Sequence, residues 1–495
     1  MAPDRQGCDP HDRATFLCPA DAQGIYGTSL HRQHSARLAW SDLMTGREIL
    51  LTTWSLFALL AVEAIAQPAV PHSRDALTAL QREAHTAFDE GRYERVIHSL
   101  EAIRLDHEPS RELLRIGILS YLRVGRSVDA LRTYTRFVPP GRPEDSRLLR
   151  ELALGFITER VHDPQEYVRI AVYTALAANA SEDVRLVLED GLHDPSVPVR
   201  AKVLEGLGRL GRATSLAVFT RALQDPTPTV RIAALNALGE RGDPSVLDVI
   251  HQTAQSGEGA THVFALAAMV KLGRDDALRE LMRAATLPDP DVRMAALGAL
   301  GRLKDPSSLP VLSQSVYDPH PSVRAFAAGA LGEFGDPGAA PVLTFALGDE
   351  YPRVRSVAAA SLGRLRMEYS RSLLWQAVRD PDIRVQAGAL EGLLRLGDRN
   401  AVLVASDLAK HPDPSARSAL AQAVGIAGNR EALVVLEQLL KDQQPQPRLT
   451  AARALGRYTG GRVIALLKDA LKDSDPAVRI VAAGSLMQVL AKQKR

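Results

Sequence analysis

The side chains most able to do chemistry in this 495-residue sequence come in rows. Arginine recurs at 169, 200, 231, 293, 324, 355, 384, 417, 448 and 479, and most of these follow an Asp-Pro step such as Asp163-Pro164, Asp194-Pro195, Asp225-Pro226, Asp289-Pro290, Asp318-Pro319, Asp380-Pro381, Asp413-Pro414 or Asp475-Pro476. Carboxylates beside guanidiniums could act as general acids or as an anion track. Their recurrence argues for another role, because a residue needed for one reaction is needed once, whereas one needed for stacking returns in every unit. The two cysteines, Cys8 and Cys18, are too few for a disulfide framework and lack a zinc-site spacing. Residues 67–495 contain no glycine-rich phosphate loop, HExxH or GxSxG motif, and no clustered metal ligands. No catalytic, cofactor or metal residue is assigned.

The elements that carry these rows must be soluble and aliphatic. Hydrophobic residues make up 46% and charged residues 24%, the balance of a folded chain, while aromatics at 5% leave Ala, Val and Leu to build the core. Sixty basic residues against 58 acidic ones give +2, without the basic excess of a dedicated nucleic-acid binder.

Residues 1–43 are polar and irregular and read as an untranslated or disordered leader, with Met44 as the expected start. Residues 44–66 then read as a Sec-type signal peptide. The uncharged run from Ile49 to Val62 is short for a spanning helix, and Ala64-x-Ala66 supplies the small residues that precede cleavage. Cleavage after Ala66 predicts a periplasmic or secreted bacterial protein; the alternative is a membrane anchor formed by residues 49–66. A linker, 67–74, follows.

Two periods organise the rest. The turns Gly91-Arg-Tyr93 and Gly125-Arg-Ser127 lie 34 residues apart between apolar helical stretches. With Ala84, Tyr93, Ala130 and Tyr134, residues 75–140 resemble two tetratricopeptide hairpins. Over 150–495 the arginine steps are 31, 31, 62, 31, 31, 29, 33, 31 and 31, giving about eleven units, one of them with His262 in the arginine position. Within one unit Val230, Ala233, Ala234, Ala237 and Leu238 form a single helical stripe, and Gly239 and Gly242 end the helix. Each unit is a helical hairpin that buries its faces only by stacking.

The pattern Asp-Pro-x-x-x-Val-Arg-x-x-Ala-Ala-x-x-Leu-Gly resembles the HEAT repeat, and more narrowly the short HEAT-like units of the phycobilisome lyases. The resemblance implies an all-α, right-handed α-α superhelix with the Val-Arg helices on its concave side. It also implies a structural ladder between repeats, assigned to Asp163, Arg169, Asp194, Arg200, Asp225, Arg231, Asp289, Arg293, Asp318, Arg324, Asp349, Arg355, Asp380, Arg384, Asp413, Arg417, Asp475 and Arg479. HEAT-like enzymes fit less well. A deoxyhypusine hydroxylase needs repeated His-Glu pairs and the chain has only His107-Glu108; a bilin lyase lacks a cysteine or polar cluster here; a HEAT-like DNA glycosylase wants a basic, aromatic groove.

Departures from the repeat are the sharper clues. Gln255 to Phe264 predicts a longer, flexible loop, and the tenth unit, Gln443 to Arg448, lacks Asp-Pro. Phe264, Phe326, Tyr351 and Trp375 interrupt the aliphatic pattern and are candidate partner contacts. The final helix has no second helix after it, which predicts an exposed apolar end. The expected function is an exported, non-catalytic scaffold for protein partners, without cofactor or nucleic acid; the alternative is a HEAT-like enzyme or chromophore lyase.

Overall fold

The computed structural model describes residues 74–103, 109–139 and 141–493, so Cys8, Cys18, the expected signal peptide and His107-Glu108 lie outside the described residues. Every regular element among the described residues is helical. Helices α1 (Arg74–Asp89) and α2 (Tyr93–Glu101), then α3 (Arg111–Arg123) and α4 (Ser127–Phe137), pack as two hairpins. Their turns use Gly91 and Gly125, both at φ 72°, a left-handed conformation that only glycine adopts without strain. Ala84, Ala130 and Tyr134 are buried in these hairpins, and Tyr93 packs edge-on against Phe88. A single helix, α5 (Ser146–Thr158), follows, capped by the Asp145 carboxylate.

From there, inner and outer helices alternate. They are α6 (Glu166–Ala178), α7 (Arg185–Asp190), α8 (Val197–Arg209), α9 (Leu216–Ala222), α10 (Pro228–Arg241), α11 (Leu247–Ser256), α12 (Gly259–Lys271), α13 (Asp275–Ala284) and α14 (Pro290–Leu303). They continue as α15 (Leu309–Gln314), α16 (Pro321–Phe334), α17 (Ala340–Ala346), α18 (Pro352–Leu365), α19 (Ser370–Ala377), α20 (Ile383–Arg395), α21 (Asn400–Leu408), α22 (Pro414–Ala427), α23 (Leu433–Leu439), α24 (Pro445–Leu455), α25 (Gly461–Ala470) and α26 (Pro476–Gln493). The even-numbered helices from α6 to α26 each begin near the Val-Arg step and pack side by side. Proline opens most of them, at a position where a missing N–H leaves nothing unsatisfied.

Spacing between these helices is set by glycine eight residues after the arginine. A Cβ on Gly301 would stand 2.9 Å from Ala330 Cα, one on Gly425 2.5 Å from Ala454 Cβ, and one on Gly363 would collide with Gly392 Cα. Such backbone contact draws the even-numbered helices closer than the outer ones, so they form the shorter, concave arc of an all-α repeat superhelix. The small Ala and Gly contacts explain the low aromatic content.

The expected exposed C-terminal face is absent. The last helix, α26, packs along both α5 and α6, and so closes the array on itself. A Cβ on Gly484 would stand 2.8 Å from Ala175 Cβ, the same kind of contact that joins successive units. Across this seam Asn179 Nδ2 donates to the Gly484 carbonyl at 3.0 Å, and Lys468 Nζ meets Glu144 Oε1 at 2.6 Å. Glu144 also accepts from the Tyr134 hydroxyl at 2.8 Å, which ties the N-terminal hairpins to the same junction. Sequence pattern could not show this, because α5 has no place in the repeat and stands where the outer helix of the last unit is missing.

The expected long loop after Gln255 is also corrected. Outer helix α11 runs through Ser256 and leaves only Gly257 and Glu258 before α12. The unit lengthens its outer helix instead of its loop.

Candidate functional site

The arginine positions obey a stricter period than the Val-Arg text suggested. Slots at 169, 200, 231, 262, 293, 324, 355, 386, 417, 448 and 479 are all 31 apart, and each ladder aspartate precedes its slot by six. Seven of the arginines bond forward to the aspartate of the next unit, 25 residues on. The pairs are Arg169–Asp194 at 2.8 Å, Arg200–Asp225 at 3.1 Å, Arg293–Asp318 at 2.8 Å, Arg324–Asp349 at 2.7 Å, Arg355–Asp380 at 2.8 Å, Arg417–Asp442 at 2.5 Å and Arg448–Asp473 at 2.7 Å. In each arginine Nη1 also donates to backbone carbonyls five and six residues back in its own chain, as Arg324 does to Asp318 and Pro319. The aspartate in turn accepts the backbone N–H two residues on, for example Tyr351 N at 2.9 Å.

Burial is the largest single influence on these carboxyls and pushes their pKa up. The arginine hydrogen bond, the backbone N–H and the guanidinium charge together outweigh it, and hold Asp194, Asp225, Asp349, Asp380, Asp442 and Asp473 below the usual aspartate value. Both members are saturated by the fold, which leaves neither free for catalysis.

Several assigned members have other roles. Arg384 lies two residues before its slot and pairs with Asp382 on its own helix at 2.6 Å; Gln386 occupies the slot and donates to the Asp380 carbonyl. Asp289, Asp413 and Asp475 precede their arginines by four rather than six, which places them at the helix start, where each caps backbone N–H groups. Asp163 pairs with Arg160 within its own turn. Arg231 and Arg479 bond only to carbonyls: Ser256 stands 25 residues after Arg231, and at the seam beside Arg479 the aspartate Asp163 is held by Arg160. Asp442, Asp473 and Arg448 are ladder members absent from the assignment; the constant separation of 25 would have revealed them. Arginine and its forward aspartate are also lost as pairs: His262 goes with Leu287, and Gln386 with His411.

His262 keeps part of the arginine's role, since its Nδ1 donates to the Ala254 carbonyl at 2.7 Å, while Nε2 lies 3.6 Å from Glu280. Beside it an open cleft of about 590 Å³ is lined by His251, Gln255, Glu258, Leu266, Met269 and Glu280 among others. No group of three or more His, Cys, Asp or Glu side chains among the described residues could hold a metal.

What stacking uses least is the inner face. On a helical wheel the second, fifth and ninth residues after each slot point away from the outer helices, and most of them are partly or fully exposed, while Ala171, Ala267, Ala360, Gly388, Glu391, Val481 and Gly484 are buried. Phe264 and Phe326 are both at the second position. The ninth carries Arg209, Glu240, Lys271, Arg302, Glu333, Arg364, Arg395 and Arg457. Arg453, at a fifth position and exposed on α24, has its pKa lowered because the surrounding walls desolvate it without supplying a carboxylate. The other two candidate contacts lie elsewhere. Tyr351 is at the ladder edge with Arg324 over its ring at 5.4 Å, and Trp375 on outer helix α19 donates its indole N–H to Asp398 at 3.0 Å. Sequence reading missed the exposed Tyr317 and Phe345, whose rings pack 4.8 Å apart.

The comparison with known families agrees with this architecture. The profile of HEAT repeats matches five stretches, 186–262, 254–320, 314–381, 370–447 and 435–494, which together run through most of the superhelix. The profile of the bacterial transcriptional activator domain matches residues 50–140, the stretch that includes the N-terminal hairpins. No curated protein matches the chain. Among solved structures, human deoxyhypusine hydroxylase is 20% identical, with 50% of this chain and 96% of that one covered and a TM-score of 0.28. The CpcE–CpcF complex of phycocyanin lyase from Nostoc sp. PCC7120 is 18% identical over 54% of this chain and 94% of that one, at 0.29. A mutant of Kap121p is 14% identical over 81% of this chain and 51% of that one, at 0.32.

Proposed function

Because the chain belongs to the HEAT-repeat family, we propose that it is a non-catalytic scaffold whose inner surface holds a protein partner outside the cytoplasm. The observation that carries this reading is the division of labour within each unit. Ladder residues and the glycines eight residues after each slot are consumed by stacking, whereas the second, fifth and ninth positions of eleven adjacent helices face one opening, and most of them, apart from the seam glycine Gly484 and pairs such as Glu391 with Arg364 and Arg395, are left free of helix-to-helix packing. Eleven helices at about 9–10 Å spacing enclose a circle roughly 30 Å across their axes, and helix thickness leaves an opening on the order of 20 Å. That admits a polypeptide segment and is too narrow for a folded domain. Export rests on the segment 44–66, with Gln67 as the first residue after cleavage.

The test places a photo-crosslinking residue at inner positions such as Ala295 and Gln422, and at outer positions such as Leu186 and Leu403, in the exporting cell. Stoichiometric capture of the same protein from inner positions only is the expected result. Equal capture from both faces, or a small molecule or metal that copurifies in place of a protein, would overturn it in favour of an enzyme.

A further inference from the structure

We infer that the inner face of α12, α14, α16 and α18 is a docking groove for an acidic polypeptide segment that also carries apolar side chains. The inference rests on the scaffold reading and names the partner's chemistry. One wall is apolar: Phe264 and Phe326, half-buried and exposed respectively, stand at equivalent positions two units apart. The rim beside it is basic. Arg302 and Lys304 at the end of α14, and Arg366 at the end of α18, have no carboxylate partner, and Arg302 reaches only the Phe264 ring, 5.6 Å from its centroid. The ninth-position row reads Arg302, Glu333 and Arg364 along this arc, and because Arg364 lies 3.5 Å from the buried Glu391, the free cations of the rim are Arg302, Lys304 and Arg366.

Two backbone observations point the same way. Lys304 and Arg366 are the only non-glycine residues with positive φ among the described residues, at 57° and 55°. Gly242, Gly335 and Gly428 fill the same helix-terminal place in other units. A cation is kept at these two places although a side chain is strained there. On the same face, Gly298 and Gly329 occupy consecutive fifth positions inside helices. A Cβ on Gly298 would meet nothing nearer than Arg302 Nη1 at 3.7 Å, and one on Gly329 only Val357 Cγ1 at 3.4 Å. Glycine inside a helix weakens it, and every stacking glycine eight residues after a slot is required by a neighbouring helix; these two are not. Close approach of an occupant accounts for them. Unpaired cations beside an apolar wall select carboxylates next to apolar side chains, a pattern that the phosphates of a nucleic acid do not offer.

The test is a selection of random displayed peptides on the full-length chain, followed by binding of the selected peptides to three proteins. These are the parent, a groove-filled variant Gly298→Leu/Gly329→Leu, and a rim variant Lys304→Gly/Arg366→Gly, whose glycines suit the backbone. Folding of each is checked by circular dichroism and hydrogen exchange. Enrichment of acidic, apolar peptides is expected, with binding weakened about tenfold or more by either variant and by raised salt. Peptides without acidic bias, or ones indifferent to both variants, would overturn the inference. So would a single-stranded oligonucleotide that binds the parent more tightly than any selected peptide and loses affinity in the rim variant. Selected peptides that crosslink at Gln422 but not in this arc would leave the scaffold reading standing while this inference fails; peptides retained nowhere on the inner face would end both.

Discussion

Replacing glycine by alanine at Gly484 and at Gly298 should change stability in opposite directions, and the sign is decided by distance. Both glycines lie inside helices, where alanine is favoured by about 1 kcal/mol. At Gly298 the new Cβ meets only a flexible arginine tip at 3.7 Å, so most of that gain is expected, roughly 0.5–1 kcal/mol of added stability. At Gly484 the Cβ would stand 2.8 Å from Ala175 Cβ and 3.3 Å from Ala175 Cα, with backbone on both sides. Helices α6 and α26 must then separate, and overpacking of this kind costs about 1–3 kcal/mol, which exceeds the propensity gain. The net effect is a loss of about 0–2 kcal/mol confined to the seam, and Gly484→Leu should enlarge it. Urea unfolding gives the ranking, but a repeat array need not unfold in one step, so amide exchange is the decisive assay. Faster exchange is expected in α5, α6 and α26, with α16 unchanged. If Gly484→Ala stabilised the protein as Gly298→Ala does, or left exchange at α26 untouched, the closed seam would be wrong.

Other outcomes follow from the same geometry. Arg324→Ala should lower stability by about 2–3 kcal/mol, since it strands the buried Asp349 carboxylate, whereas Arg384→Ala should stay within about 0.5 kcal/mol because the Arg384 side chain is exposed and Asp382 still accepts a backbone N–H; denaturant midpoints distinguish them. The ladder aspartates have folded pKa values below their unfolded ones, so their contribution is fully present above about pH 4 and is lost as pH falls through the lower folded values; acid titration of the melting temperature should show the parent losing more than Arg324→Ala does below that point. Lys304→Gly should stabilise the protein by about 0.5–1 kcal/mol, by release of a left-handed lysine, as read from the thermal midpoint. Amino-terminal sequencing of the exported protein should begin at Gln67, and a chain started at Met44 should still be exported.

The repeat was legible in the sequence because stacking writes the same residues into each unit: Asp, Pro, Val, Arg, two alanines and a glycine state both the hairpin and its neighbours. Ladder membership was less legible, because Asp-Pro has two meanings. Six residues before the slot the aspartate reaches back to the previous unit's arginine; four residues before, as at Asp289, Asp413 and Asp475, it can only cap its own helix. Arg384 imitates a ladder arginine because Ile383 precedes it, while the true slot, after Val385, is held by Gln386, whose amide still reaches the Asp380 carbonyl. Of the candidate contacts, Phe264 and Phe326 were recognisable as departures from an aliphatic stripe, but Trp375 departs equally and is used by the fold. Only the wheel position separates them.

Closure explains why one end of the array carries a helix too few and the other a helix too many. An open stack of hairpins leaves an apolar face at each end and needs caps with polar outer surfaces. Here α26 ends in a long apolar face, with Val478, Ile480, Val481, Leu486, Val489 and Leu490 all buried, and α5 buries Leu148, Leu149, Leu152, Phe156 and Ile157 without an inner helix of its own. Neither is a defect once they meet, because α5 supplies the outer helix that the eleventh unit lacks. The join uses the glycine and alanine chemistry of every other interface, shifted by about one helical turn: Gly484 stands five residues after its slot, where Gly301 and Gly425 stand eight after theirs. It lacks a ladder pair, since Arg479 finds only carbonyls and Asp163 is held by Arg160. The seam is therefore the one interface between inner helices near which Lys468–Glu144 and Asn179–Gly484 replace the ladder, and the opening it completes has a fixed circumference. A partner segment threaded through that opening would need either a free end or a seam that parts, so weakening Gly484 packing should speed binding of a segment blocked at both ends and leave binding of a free-ended one unchanged.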